Sequence, residues 1–130
     1  MRKLLLRLLQ AGALVAFVVG QLWPGGVGTP SAWNPVGHVL MYAAMVVLFW
    51  PDLAGLKVWQ RVAVMVLAGL LLGTVFELLQ GQVPGRAPEV ADVVADLVGV
   101  GLGLGLAWVG GILAAWWRQR ASGSPPAKPL

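Results

Sequence analysis

Apolar residues gather into four long runs along this chain, at 4–22, 34–50, 61–80 and 89–117, each interrupted only by isolated polar positions. Crossing the hydrocarbon core of a bilayer takes about 20 residues of helix, so every run predicts a transmembrane helix. The second is short and should begin at the interface. The fourth is long, and must tilt or carry its first turn within the headgroup layer. Turn chemistry separates the runs: Pro24-Gly25-Gly26 to Pro30-Ser31 ends the first, Pro35 suits the first turn of the second, and Pro51-Asp52 stops it. Gly81-Gln82-Val83-Pro84-Gly85-Arg86-Ala87-Pro88 predicts a tight antiparallel hairpin between the last two. The pattern as a whole predicts an all-α, four-transmembrane-helix bundle over residues 1–120. A Ser-, Gly-, Pro- and Lys-bearing tail at 121–130 is expected to be disordered and cytoplasmic.

The first run needs separate treatment, because Met1-Arg2-Lys3 ahead of apolar residues has the form of a secretory signal peptide. The run continues to Leu22 with Arg7 and Gln10 inside it, and no small-x-small cleavage pattern precedes Gln21. These features predict a retained first helix.

Composition supports the bilayer as solvent. Of 130 residues, enough for one domain, 58% are hydrophobic and 11% charged, against a usual charged share of roughly 25%; the mean hydropathy is +0.81. So few charges cannot form the polar shell of a soluble domain. The sequence pI near 10.4 does not point to nucleic acid, since the basic residues form no stripe interleaved with aromatics. They cluster at the ends of apolar runs, as orienting charges do. The chain has no cysteine, which excludes disulfides, thiolate nucleophiles and Cys-based metal sites.

Four spans place both termini on one side, with the loop around Lys57. That side holds Arg2, Lys3, Arg7, Lys57, Arg61, Arg118, Arg120 and Lys128, and the other holds only Arg86. The bias predicts cytoplasmic termini. Trp23 and Trp33 would then mark the outer interface, and Trp50, Trp59, Trp116 and Trp117 the inner one.

On this topology the remaining polar residues collect at the outer end. His38 and Tyr42 open the second helix, Glu77 and Gln80 close the third, Arg86 lies in the outer loop, and Asp92 and Asp96 open the fourth. Each pair is three or four residues apart and shares a helix face. Gly69, Gly73 and Glu77 lie on one stripe, and Asp92, Asp96, Gly99 and Gly103 on another, so the acids continue faces along which membrane helices approach closely. Asp96 lies roughly 10 Å along its helix at 1.5 Å per residue. An unpaired charge at mid-membrane costs about 2.5 kcal/mol or more, which makes function the default reading of such a group. Taken singly, His38 and Tyr42 read as interfacial anchors, Gln80 as a helix-end hydrogen-bonding group, and Glu89 as a first-turn acid favoured by the helix dipole. Together, Glu77, Arg86, Asp92 and Asp96 read as a binding or reactive site.

The pattern His38-x-x-x-Tyr42, Glu77-x-x-Gln80, Pro84-Gly85-Arg86 and Asp92-x-x-Ala95-Asp96-x-x-Gly99, with Gly103, resembles the VanZ-like family of small bacterial membrane proteins. The family takes its name from a teicoplanin-resistance determinant, and the resemblance runs from about Asn34 to Gly103. Two departures stand out. Asn34 and Pro35 replace a usual Asp-Lys pair, and Asp96 replaces a usual Asn, adding a carboxylate. The resemblance implies a multi-pass protein of the bacterial cytoplasmic membrane, connected with the cell envelope and with glycopeptide tolerance.

Glu77, Asp92 and Asp96 against Arg86 and a neutral His38 leave a net charge of −2, unfavourable in a site partly removed from water. A retained carboxyl proton, protonation of His38 or a bound cation would relieve it. Oxygen ligands from Glu77, Asp92 and Asp96 would suit Mg²⁺ or Ca²⁺ better than zinc. The expected function is recognition of a lipid headgroup or lipid-linked envelope precursor, with Arg86 on its phosphate or carboxylate. His38, Tyr42 and Gln80 would complete the wall. A membrane-embedded hydrolase or transferase using His38 or a carboxylate as base and a structural partner protein are the alternatives. HExxH, G-x-S-x-G and P-loop motifs are all missing. A proton-coupled carrier would need ionisable groups nearer the midplane or on both sides, and the inner halves of the last three helices have none beyond their flanking charges.

Overall fold

Four α-helices form where the apolar runs lie: α1 (Arg2–Leu22), α2 (Trp33–Phe49), α3 (Val58–Gln80) and α4 (Val90–Ala121). All four are long and apolar enough to cross a membrane, and no strand occurs among the described residues. The structure is a computed structural model that describes residues 1–22, 33–82 and 88–122, the side chains of Arg2, Trp33 and Asn34 excepted. The hairpin tip with Arg86, the connection with Trp23, and the tail beyond Ser122 therefore lie outside the described residues. Ala121, expected in the tail, is instead the last residue of α4.

Local chemistry sets the helix ends. α2 stops at Phe49, and a 3₁₀ turn over Trp50–Leu53 follows, with Pro51 in its first turn. α3 starts at Val58, three residues before the start expected at Arg61, because Gln60 caps it. The Lys57 backbone N–H donates to Gln60 Oε1 at 2.9 Å, satisfying a group that the helix leaves free. Arg61 closes the same turn. Its Nη2 donates to the Ala54 carbonyl at 2.6 Å and its Nε to that of Leu56 at 2.9 Å. Its guanidinium also lies 5.5 Å from the centre of the Trp50 ring.

The distribution of side chains is the reverse of that in a soluble protein. Buried positions include Gln10, Gln21, His38, Glu77, Gln80, Asp92 and Asp96, while Leu67, Leu71 and Leu78 of α3 and Val94, Val98 and Leu106 of α4 face outward. This suits a molecule whose solvent is hydrocarbon, where polar groups must find partners inside. At 1.5 Å per residue α4 is about 48 Å long, more than the hydrocarbon thickness, and its last turn carries Arg118 and Arg120.

α2 and α4 form the most extensive helix pair, and glycines make it possible. A Cβ at Gly99 would lie 2.5 Å from the Val39 carbonyl oxygen, and one at Gly103 2.7 Å from that of Ala43. These neighbours are backbone and cannot yield, so the close approach of the α2 and α4 backbones depends on α4 having no side chain at these two positions. α1 contributes a stripe of Gln10, Leu14, Phe17 and Gln21. Its Phe17 meets Tyr42 and Phe76 edge-on, at 5.1 and 5.4 Å between ring centres. Phe17, Tyr42, Val46 and Val100 make the small apolar core.

Candidate functional site

One end of the bundle gathers ionisable side chains from three helices. α2 supplies His38 and Tyr42, α3 Glu77, and α4 Asp92 and Asp96; all five are at least nine-tenths buried, Asp96 to within 1% of its surface. Helical spacing aims them inward. Glu77, Asp92 and Asp96 continue glycine-lined contact faces, and Gly73 is the clearest case, since a Cβ there would lie 2.5 Å from Asp96 Oδ2. Gly73 thus makes room for the carboxylate against α3.

His38 is the hub. Its Nδ1 lies 2.7 Å from Asp96 Oδ1, and its Nε2 lies 3.6 Å from Asp92 Oδ2. The second separation exceeds hydrogen-bonding distance. Glu77 Oε2 accepts the Glu89 backbone N–H at 2.7 Å, which fixes the carboxylate and ties the end of α3 to the start of α4. Glu89, expected only to favour the helix dipole, is the N-cap residue of α4, and its amide orients a site residue. Ligand atoms of His38, Glu77 and Asp92 all lie within 4.8 Å of one another.

Glu77 Oε1 is buried without a hydrogen-bond partner among the described residues. The Tyr42 hydroxyl is near enough to Asp96 to feel its charge. Buried polar groups are nearly always paired, so the bare oxygen of Glu77 is the exception within the cluster.

Inward from Tyr42 an apolar cavity of about 270 Å³ runs between α1, α2 and α3 past Phe17, Met45, Met65 and Gly69, and reaches Phe49, Asp52 and Leu53 at the other end. Tyr42 belongs to both. Its ring lines the cavity and its hydroxyl faces the carboxylates.

The structure brings together His38, Tyr42, Glu77, Asp92 and Asp96. It buries His38 and Tyr42 inside the bundle, so neither is the interfacial anchor that it resembles when taken alone. Gln80 has a different role: its Nε2 donates to the Gln21 carbonyl at 2.6 Å and to Gln21 Oε1 at 3.0 Å, clamping α1 to α3 beside the cluster. Arg86 lies outside the described residues. The three residues spaced to share an ion are His38, Glu77 and Asp92, whereas Asp96, expected as a ligand, has one oxygen on His38.

A second polar network, at the opposite end, escaped the sequence reading. Arg7 Nη1 lies 2.9 Å from Asp52 Oδ2 and donates to Gln10 Oε1 at 2.9 Å, while Gln10 Nε2 donates to Asp52 Oδ2 at 2.8 Å and to the Leu48 carbonyl at 3.0 Å. The signal lay in Gln10 and Gln21, which are eleven residues apart in α1. That spacing is three helical turns, so both fall on one face of an otherwise apolar helix.

No curated protein and no solved structure matches this chain. A family model described as VanZ/LLP1 matches residues 5–114, a region that contains nearly all of α1 and every site residue above. With four apolar helices and a match over most of its length, this multi-pass membrane protein belongs to the VanZ/LLP1 family.

Proposed function

We propose that the buried polar end binds the headgroup of a membrane amphiphile, a lipid or a lipid-linked envelope precursor, whose apolar chain enters the adjoining cavity. The single observation that carries this reading is the junction at Tyr42. The buried polar cluster, with its unpartnered Glu77 Oε1, stands on one side of this residue and an apolar cavity of about 270 Å³ on the other. A ligand that fits both is amphiphilic. The excess of Lys and Arg beside the termini and Lys57 supports an extracytoplasmic position for the polar end. Arg86, the one basic residue on that side in the sequence, would meet phosphate or carboxylate, for which its planar fork is suited. Glycopeptide tolerance, which the family's name evokes, would follow from handling such a precursor.

Native mass spectrometry of protein extracted in mild detergent tests the binding. The wild type should retain one amphiphile per chain, and Glu77→Gln should lose it while remaining folded. A wild type that retains nothing would refute the reading. Orientation is tested with single cysteines, since the chain has none. Gly28→Cys and Val83→Cys should react with an impermeant thiol reagent in intact cells, and Gly55→Cys and Ser124→Cys should not. Labelling at position 55 would move the site to the cytoplasmic face.

A further inference from the structure

The contacts of His38 define more than a polar wall. An ionised Asp96 can only accept, so its 2.7 Å contact places a proton on His38 Nδ1; in the neutral ring Nε2 then carries the lone pair. Nε2 faces Asp92 Oδ2 at 3.6 Å, without a hydrogen bond. Two ligands held about 2.0–2.2 Å from one ion at a near-tetrahedral angle stand about 3.4 Å apart, close to that separation. Glu77 provides the third group, since one ligand atom from each of His38, Glu77 and Asp92 falls within 4.8 Å of the others. A second observation points the same way: Glu77 Oε1 is buried and without a partner among the described residues, while its sister oxygen is pinned by the Glu89 amide.

We propose that His38 Nε2, Glu77 and Asp92 bind a divalent first-row transition ion of the zinc or manganese class, with Asp96 as the positioning residue that holds His38 in its ligating tautomer. A carboxylate on the far nitrogen is the usual support of a metal-bound histidine, since it fixes the ring and raises its basicity. One imidazole nitrogen with two carboxylates suits such an ion better than Mg²⁺ or Ca²⁺, which prefer oxygen alone. A dication also offsets the three carboxylates gathered around one histidine. Three protein ligands leave a coordination position open, where a phosphate or hydroxyl oxygen of a headgroup would bind. In that respect the inference rests on the proposed function and deepens it.

The test uses the whole chain in detergent, stripped with a chelator and given no lipid. Calorimetric titration should show one Zn²⁺ per chain, with Mg²⁺ binding at least tenfold more weakly. Mn²⁺ bound to the wild type should give the electron spin-echo modulation of one imidazole nitrogen, and His38→Gln should lose it. Glu77→Gln and Asp92→Asn should abolish binding, and Asp96→Asn should weaken it by about 10- to 100-fold. A wild type that binds neither Zn²⁺ nor Mn²⁺, or that is stabilised only by lowering the pH from 8 to 5.5, overturns the proposal. So does bound Mn²⁺ without nitrogen modulation. These wild-type outcomes stand even if a variant fails to fold. With no lipid in the experiment, failure to bind metal leaves the headgroup reading standing. A wild type that binds metal yet retains no amphiphile refutes that reading alone.

Discussion

The two ends of this bundle both bury polar side chains between helices, yet they handle them differently. At the Asp52 end every polar group has a use: Gln10 donates to Asp52 and to the Leu48 carbonyl and accepts from Arg7, and Arg7 reaches out with 66% of its side chain exposed. At the His38 end the groups are more acidic and incompletely matched, with Glu77 Oε1 lacking a partner among the described residues. A staple between helices is closed when its hydrogen bonds are made. A site retains acceptors and donors aimed at a space that something else completes.

That contrast can be broken by variants that strike both ends, and sharpened by those that strike one. Gly99→Val should have the largest effect, since its Cβ would lie 2.5 Å from the Val39 carbonyl oxygen. Overpacking of this kind costs about 1–3 kcal/mol and sometimes more, and the backbone neighbour puts this case at the upper end or beyond. Fluorescence-detected size exclusion should show loss of the folded peak, and both ends should fail together. A normal peak would mean that α2 and α4 are not held as described.

Gln10→Ala comes next. It leaves the Leu48 carbonyl and Asp52 short of a donor, at a cost of about 1–3 kcal/mol. Thermal melts should register the loss, while activity per folded molecule in an envelope phenotype stays near wild type. A fall in specific activity without a fall in stability would put function at the wrong end.

Asp96→Asn should be smaller still in the metal-free protein. Asn keeps an acceptor for His38 Nδ1 and removes one of the clustered negative charges. Its melting temperature should match or exceed that of the wild type. A clear loss would show that the charge of Asp96 is structural.

Arg7→Ala removes an exposed ion pair, which contributes about 0.5 kcal/mol or less, and also takes a donor from Gln10 Oε1, so its loss should stay below that of Gln10→Ala. Gln10 still holds Asp52 in that variant. A larger loss in a thermal melt would mean that the staple depends on its ionic member.

Much of this was legible in the sequence because a membrane helix has only one sensible place for a charge. Apolar runs of sufficient length gave the four helices, and three- and four-residue spacings put Glu77 on the face of Gly73 and Asp96 on that of Gly99. Pairing between helices was not legible. Nothing in the spacing says that His38 would meet Asp96 through one nitrogen and face Asp92 with the other, because that depends on how far α2 slides along α4. Gln80 looked like a wall of the site because it shares a face with Glu77. Its partner Gln21 sits on α1, whose register against α3 no local pattern records. Likewise, Arg7 and Gln10 read only as polar interruptions of the first run until the turn after α2 brought Asp52 beside them.

Retained amphiphile in native mass spectra distinguishes a ligand site at the His38 end from a staple at the Asp52 end. Wild type, Glu77→Gln and Gln10→Ala should be extracted alike and compared at equal amounts of folded protein. The account predicts an amphiphile on the wild type and on Gln10→Ala, and none on Glu77→Gln. Equal retention by all three, or loss that follows only the amount of folded protein, would contradict it.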